Sequence, residues 1–272
     1  MKHLHHILIL AFLMLFNYHC SSVFAYIEVK NEDGVTIYYD YISDGKELEV
    51  IPEPGYGRYG NYKTKTLRIP DEVTYMNRTR KVTSIADYAF YNAQIETLII
   101  GDNVKTIGNC FKPRIFNPDY SDGGFLKKIV FGNSVESTYC SFASDSSKGN
   151  NSLEKVIIKN ISKWSSSYHA SSPFHSTKLH STKLYVNEDT ELKRLDIPEG
   201  VKRIGSNAFS DCNSLTEVII PNSVDTIGEY AFRYSGMQYL TIGSGIKYIG
   251  LHAFANSKQL KVFIKTSLLG VT

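Results

Sequence analysis

Leu192-Lys-Arg-Leu195-Asp-Ile197-Pro198-Glu-Gly-Val201-Lys-Arg-Ile204-Gly205-Ser-Asn-Ala208-Phe209 is followed by two stretches of the same form. They are Leu215-Thr-Glu-Val218-Ile-Ile220-Pro221-Asn-Ser-Val224-Asp-Thr-Ile227-Gly228-Glu-Tyr-Ala231-Phe232 and Met237-Gln-Tyr-Leu240-Thr-Ile242-Gly243-Ser-Gly-Ile246-Lys-Tyr-Ile249-Gly250-Leu-His-Ala253-Phe254. The Ile-Gly and Ala-Phe pairs recur together every 22 or 23 residues. A fixed period of this length marks a chain built from one unit stacked on itself.

Each part of the unit has a physical role. Within Leu-x-x-Val-x-Ile the apolar residues alternate at the period of a strand. Pro or Gly after the Ile ends that strand. The Val-x-x-Ile step turns a second edge inward, and Gly205, Gly228 and Gly250 are expected to permit a tight bend there. Ala-Phe is expected on a short helical turn, with Phe filling the coil and Ala admitting the neighbouring coil. Cys212, Ser235 and Ser257 then form a column of small side chains. A single coil buries too little apolar surface to offset the ordering of its own backbone, so stacking is obligatory. The expected architecture is a right-handed curved solenoid, mainly β, with a parallel sheet on one face.

Working upstream, the unit loosens. Thr64 to Phe90 carries Leu67, Ile69-Pro70, Val73, Ile85 and Ala89-Phe90, with Tyr75 to Lys81 inserted. Ile95 to Phe111 is one residue short before its Phe, and Leu126 to Phe142 has Thr138 where Ile is expected. A partial unit opens at Leu153 and dissolves over Ile161 to Tyr185, with Trp164 as an anchor packed on the coils. A last start at Leu260 runs out at Thr272 inside an eighth coil, with no polar capping segment. The expected divisions are 1–25, 26–63, 64–158, 159–190 and 191–272. These are a signal peptide, a β cap, a first repeat block, an irregular spacer and a second repeat block.

The first division is read as an export signal. Lys2 supplies a positive start, Ile7 to Phe16 an apolar run, and Val23-Phe24-Ala25 a cleavage site. The run is too short to span a bilayer comfortably, so no transmembrane segment is expected. Lipidation at Cys20 is the competing reading, weakened by the preceding Asn17-Tyr18-His19. The exported chain keeps Cys110, Cys140 and Cys212, an odd count that argues against a dense disulfide framework. Buried reduced thiols are the simpler expectation.

In the cap, Val35 to Tyr41 alternates as a strand, Ser43-Asp44-Gly45 turns, and Glu47 to Val50 returns. That hairpin is expected to hide the open edge of the first coil. The Tyr56 to Tyr62 loop could stack on sugar or peptide, and loops Lys112 to Gly124 and Ala143 to Ser152 could carry specificity.

The 272 residues carry a net charge of +3, too little for a nucleic-acid or polybasic membrane partner. The histidines His169, His175 and His180 lie at irregular intervals that match no metal-ligand spacing, and Asp and Glu are scattered. No catalytic constellation, metal or cofactor is expected. Chemistry therefore points to surfaces. Outward residues of successive coils should form rows, one holding Arg68, Ile99, Val130, Ile157, Asp196, Ile219 and Thr241. A second row holds Thr66, Thr97, Lys128, Lys155, Arg194, Glu217 and Tyr239. Ile99, Val130 and Ile157, flanked by Lys128 and Lys155, suggest an apolar strip rimmed by cations. Glu217, Ile219 and Tyr239 continue the wall.

The unit Leu-x-x-Val-x-Ile-Pro-x-x-Val-x-x-Ile-Gly-x-x-Ala-Phe-x-x-Cys resembles the BspA-type leucine-rich repeats of surface and secreted bacterial proteins. The resemblance covers about residues 64 to 272 and is densest from Leu192 to Phe254. It implies an α/β-type leucine-rich-repeat solenoid and a binding protein rather than an enzyme. Its implied partner is a protein or glycan on a host matrix or cell surface. A scaffold, or the repeat half of a longer surface protein, is the alternative, with self-association through the C-terminal edge.

Overall fold

A computed structural model describes residues 26–54, 62–91, 93–111, 126–140, 153–170, 172, 174, 182–257 and 260–264. In the second repeat block, each Leu-x-x-Val-x-Ile segment becomes a strand. These are β14 (Arg194–Asp196), β16 (Glu217–Ile220), β18 (Tyr239–Ile242) and β20 (Lys261–Ile264), a four-stranded parallel sheet. The register matches equivalent residues coil by coil: Leu195, Val218, Leu240 and Val262 share one row. Leu195, Val218 and Leu240 are buried. The Val-x-x-Ile steps give a second parallel sheet, β15 (Arg203–Ile204), β17 (Thr226–Ile227) and β19 (Tyr248–Ile249). Between the sheets the Phe rings of successive coils stack, Phe209 on Phe232 at 5.4 Å and Phe232 on Phe254 at 5.5 Å.

Two expectations about the unit change. Gly205, Gly228 and Gly250 do not adopt positive φ, so they are not there for the bend. A Cβ on Gly205 would lie 1.7 Å from the Ser167 carbonyl oxygen, and one on Gly250 would lie 2.5 Å from the Glu229 nitrogen. Glycine is required because the neighbouring coil's backbone already fills that space. The Ala-Phe corner is not helical either. Asn207, Tyr230 and His252 before the Ala, and Asp211, Tyr234 and Asn256 after the Phe, all have φ between 55° and 61°. A left-handed residue at each end breaks helical propagation. Alternate amides of the corner then donate to the next coil, Asn207 to Glu229 O, Phe209 to Ala231 O and Asp211 to Arg233 O. The small column forms as expected, with Ser235 and Ser257 hydroxyls 3.2 Å apart.

In the first block the main sheet runs β4 (Thr66–Arg68), β7 (Thr97–Ile99), β9 (Lys128–Phe131), β11 (Lys155–Ile158) and β13 (Lys183–Tyr185). The second edge joins β6 (Arg78–Ile85), β8 (Thr106–Ile107), β10 (Ser137–Thr138) and β12 (Tyr168–His169). The insertion at Tyr75 to Lys81 extends β6 into a hairpin with β5 (Glu72–Tyr75). Met76 and Asn77 at its tip both have positive φ, the geometry that matches strand twist in a two-residue turn.

The cap hairpin is present as β2 (Thr36–Ile42) and β3 (Glu47–Ile51), with β1 (Ile27–Lys30) beside β2. Its strands join the second edge, where β3 runs parallel to β6, and the loop before β2 meets the rim of the main sheet, where Asn31 Nδ2 donates to the Arg68 carbonyl. Ile37, Tyr39, Leu48 and Val50 face inward and are fully buried.

The described residues between 159 and 170 pack against both blocks. Their helix α1 (Ile161–Ser166) is capped by the Asn160 side chain, which accepts from the Lys163 amide. Trp164 is buried as the anchor: it packs on Phe131 at 4.6 Å and donates Nε1–H to the Ala208 carbonyl at 2.8 Å. His169 stands in the inward column of the second edge, in register with Thr138, which itself pairs with Ile107. The second block docks here: Gly205 N donates to Ser165 O, and His169 N donates to Ser206 O. β13 extends the main sheet by one more strand before the chain turns back at 186–190 and begins β14.

The His169 ring is fully enclosed. It lies 4.2 Å from Trp164, with Nδ1 3.0 Å from the Thr138 hydroxyl and Nε2 3.5 Å from the Trp164 carbonyl oxygen. Burial depresses its pKa from 6.5 to about 4. In the unfolded chain the same ring takes up a proton near 6.5. Stability is therefore whole above that pH and falls as the pH drops towards 4, by roughly 3 kcal/mol over the window. Urea titrations at stepped pH should show this loss, and His169→Gln should flatten the slope between pH 6.5 and 5. Phe232→Ala, which opens the ring stack between two coils, should cost about 3–5 kcal/mol in the same titration at pH 7.

Candidate recognition surface

Strand register decides which outward side chains are neighbours. In the first block Ile99, Val130, Ile157 and Tyr185 pair in one row, and Thr97, Lys128, Lys155 and Lys183 in the next. The expected adjacency of Ile99, Val130 and Ile157 is therefore present. Their exposure is not. Val130 is 6% and Ile157 2% exposed, and Ile99 is half-buried.

The lysines flanking the strip are engaged by the turn after β13. Glu188 accepts from Lys128 Nζ at 2.5 and 2.7 Å, and Lys155 donates to the carboxylate and to the Glu188 carbonyl. Lys128 and Val130 share a face by the period of two, as do Lys155 and Ile157. One carboxylate thus bridges the two lysines that flank the apolar pair. Lys155 also sits 4.3 Å over the Tyr185 ring. The lysine contacts, led by the hydrogen bond from Lys128, hold the Glu188 carboxyl below its ordinary pKa. The turn itself is set by Asn187, whose side-chain oxygen accepts from the amides of Asp189 and Thr190.

The far end of this face is also occupied. Arg68 pairs with Glu32 and Asp33 of the cap, and Lys159 pairs with Asp102 at 2.9 Å. Ile99 lines a recess of about 280 Å³ between those two pairs. The apolar strip with its cationic rim is thus an internally satisfied surface.

The second block differs. Arg194, Glu217, Tyr239 and Lys261 form one outward row, and Asp196, Ile219, Thr241 and Phe263 the other. Arg194 forks between Asp196, at 3.0 and 3.4 Å, and Glu217 at 3.2 Å. Lys261 stands 5.8 Å over the Tyr239 ring. Tyr239 is 44% and Phe263 55% exposed, and Ile219 is half-buried beside them. Two cations balance two anions around an open aromatic centre.

Sequence reasoning did not place Lys261 and Phe263 in these rows. A unit counted from Leu260 shifts them by one residue, whereas the ladder pairs Leu240 with Val262. The role of Glu188 was missed because nothing near it in sequence points to Lys128, sixty residues away.

Val262 and Ile264, in register with the inward Leu240 and Ile242, are 49% and 69% exposed, and Ile249 and Leu251 are exposed beside them. The last described coil presents core positions to solvent. Among the described residues no cluster of His, Cys, Asp and Glu could hold a metal ion, and no helix is long and apolar enough to cross a membrane. His169 lies in the core. His175, His180, Cys20, the export-signal segment and the loops at Tyr56, 112–124 and 143–152 lie outside the described residues, although Tyr62 is buried.

Comparison with solved structures finds a leucine-rich-repeat protein from Bacteroides ovatus, 22% identical, with a TM-score of 0.51 over 85% of this chain and 51% of that one. A leucine rich cell surface protein from Faecalibacterium prausnitzii is 19% identical, with a TM-score of 0.48 over 89% of this chain and 55% of that one. The chain spans about half the length of these two proteins, and at such identity the likeness concerns the fold. A search of curated proteins finds no match. The model of the BspA type leucine rich repeat region matches in six copies, over residues 59–172 and 181–269. With most of its length matched, and with coils stacked at the period of that repeat, the chain belongs to the BspA-type leucine-rich-repeat family.

Proposed function

We propose that the chain is an exported, surface-associated binding protein that recognises a protein or glycan through the outward face of its second-block sheet. The observation that carries this reading is the open row of Ile219, Tyr239 and Phe263, bordered by Arg194, Asp196, Glu217 and Lys261. Aromatic side chains on a rigid sheet supply contact area at low entropic cost, and a charge-balanced rim suits a neutral partner. The first-block face offers no comparable surface, because Glu188 and the cap already occupy it. The location rests on the apolar run Ile7 to Phe16 ahead of Val23-Phe24-Ala25, which has the form of an export signal. Binding, not catalysis, is the proposed activity, and no cofactor is invoked.

A second reading has its own observation. The exposed Val262, Ile264, Ile249 and Leu251 form an apolar coil end suited to another repeat surface, a second copy included. Light scattering across a concentration series separates it from the first. Association that disappears in Val262→Lys favours the coil end as an interface.

The recognition reading is tested by biolayer binding of the full chain to matrix proteins and an array of glycans. Ile219→Asp combined with Tyr239→Ala should weaken capture at least about tenfold, with the unfolding midpoint little changed. Glu188→Ala, which uncovers the first-block face, should leave capture unaltered. Intact binding by the double variant, or a gain in the Glu188 variant, would move recognition elsewhere.

A further inference from the structure

Cys110 and Cys140 occupy successive coils of the first block, just beyond the paired strands β8 and β10. Their Sγ atoms are 3.2 Å apart, and both side chains are fully buried. The backbones beside them are tied together: Tyr139 N donates to Ile107 O at 2.8 Å. From their 3.2 Å separation the two sulfurs need to close by only about 1 Å to reach the S–S bond length of about 2.05 Å. The third buried cysteine, Cys212, lies in the second block beside Ser214 and serves as an internal control.

We propose that Cys110 and Cys140 are a disulfide-forming pair that staples two successive coils under oxidising conditions. The oxidant is a disulfide, either of a small thiol such as glutathione or of a thiol oxidoreductase. One cysteine thiolate attacks it to give a mixed disulfide, and the second displaces the carrier. Two S–H bonds are lost, one S–S bond forms, and two electrons and two protons leave with the reduced carrier. Burial, then the hydrogen bond to Cys140, raises the Cys110 pKa well above its ordinary value, so the enclosed Cys110 thiol is a poor nucleophile. The bond therefore forms as the coils close, before the thiols lose contact with solvent. The proposal rests on the export reading only for where the oxidant is met.

The test uses two preparations of the full chain. One is secreted into a bacterial periplasm, and the other is made reduced and refolded with oxidised and reduced glutathione. Each is denatured, alkylated without reduction, digested and weighed. The expected result is a Cys110 peptide joined to a Cys140 peptide, two hydrogens lighter than the sum, with Cys212 alkylated. Linkage in the refolded sample alone supports the pair and counts against export. Both sulfurs alkylated in the refolded sample, or either joined to Cys212 or Cys20, overturns the proposal. Reduction of the linked chain should lower Tm by about 5–10 °C. Cys110→Ser should abolish that response, and a response that persists in this variant also overturns it.

Discussion

A buried amide must find an acceptor, and a coil of some two dozen residues cannot supply acceptors for all of its own. In this chain the next coil does so. The corner around Phe209 sends alternate amides to the carbonyls of Glu229, Ala231 and Arg233, and the corner around Phe232 sends its own to Leu251, Ala253 and Ala255. The intervening amides close turns within the coil, as Ser210 does on Asn207. This division fixes the spacing between coils at main-chain hydrogen-bond distance. Everything packed between them must fit that spacing. It is why Phe rings stack at about 5.5 Å, and why a Cβ at Gly228 would collide with the Ser206 backbone nitrogen.

The same constraint explains what was legible in the sequence. Leu, Val, Ile and Phe recur because the core is one column repeated, so period and inward positions could be read directly from Leu192 to Phe254. The reason for the glycines could not. Close backbone approach and positive φ leave the same residue in the sequence, and only the neighbouring coil distinguishes them. The corner was misread as helical because its left-handed residues include Tyr230, Tyr234 and His252, which carry no turn signature. After Lys159 the pattern was hidden by substitution, since His169 stands, beside Thr138, in the inward column where Ile107 and most other coils place Ile. Trp164 was recognisable as an anchor, but its acceptor, Ala208, belongs to the next block.

Outward rows were legible as rows and illegible as surfaces. Period-two alternation tells which residues leave the sheet, but not what else lands on them. Glu188 reaches Lys128 from sixty residues away, and Arg68 meets the cap from more than thirty. Individually, exposed ion pairs of this kind contribute little. Here the turn that presents Glu188 is already ordered by Asn187, so less side-chain and backbone freedom is lost when the carboxylate meets its two lysines. This clasp on the lysines is a property of the joint between blocks, not of the repeat.

The open face in the second block follows from the same geometry. That block begins after the turn at 186–190, and the cap lies at the opposite end of the stack, so neither element reaches Tyr239 or Phe263. Inward residues there are held by coil spacing and cannot change without disturbing their neighbours above and below. Outward ones carry no such constraint. Arg194, Glu217, Tyr239 and Lys261 show the result: cations, an anion and an aromatic ring at one repeat position, while Leu195, Val218, Leu240 and Val262 beside them stay aliphatic. A stack of this kind separates the residues that specify the fold from those free to specify a partner.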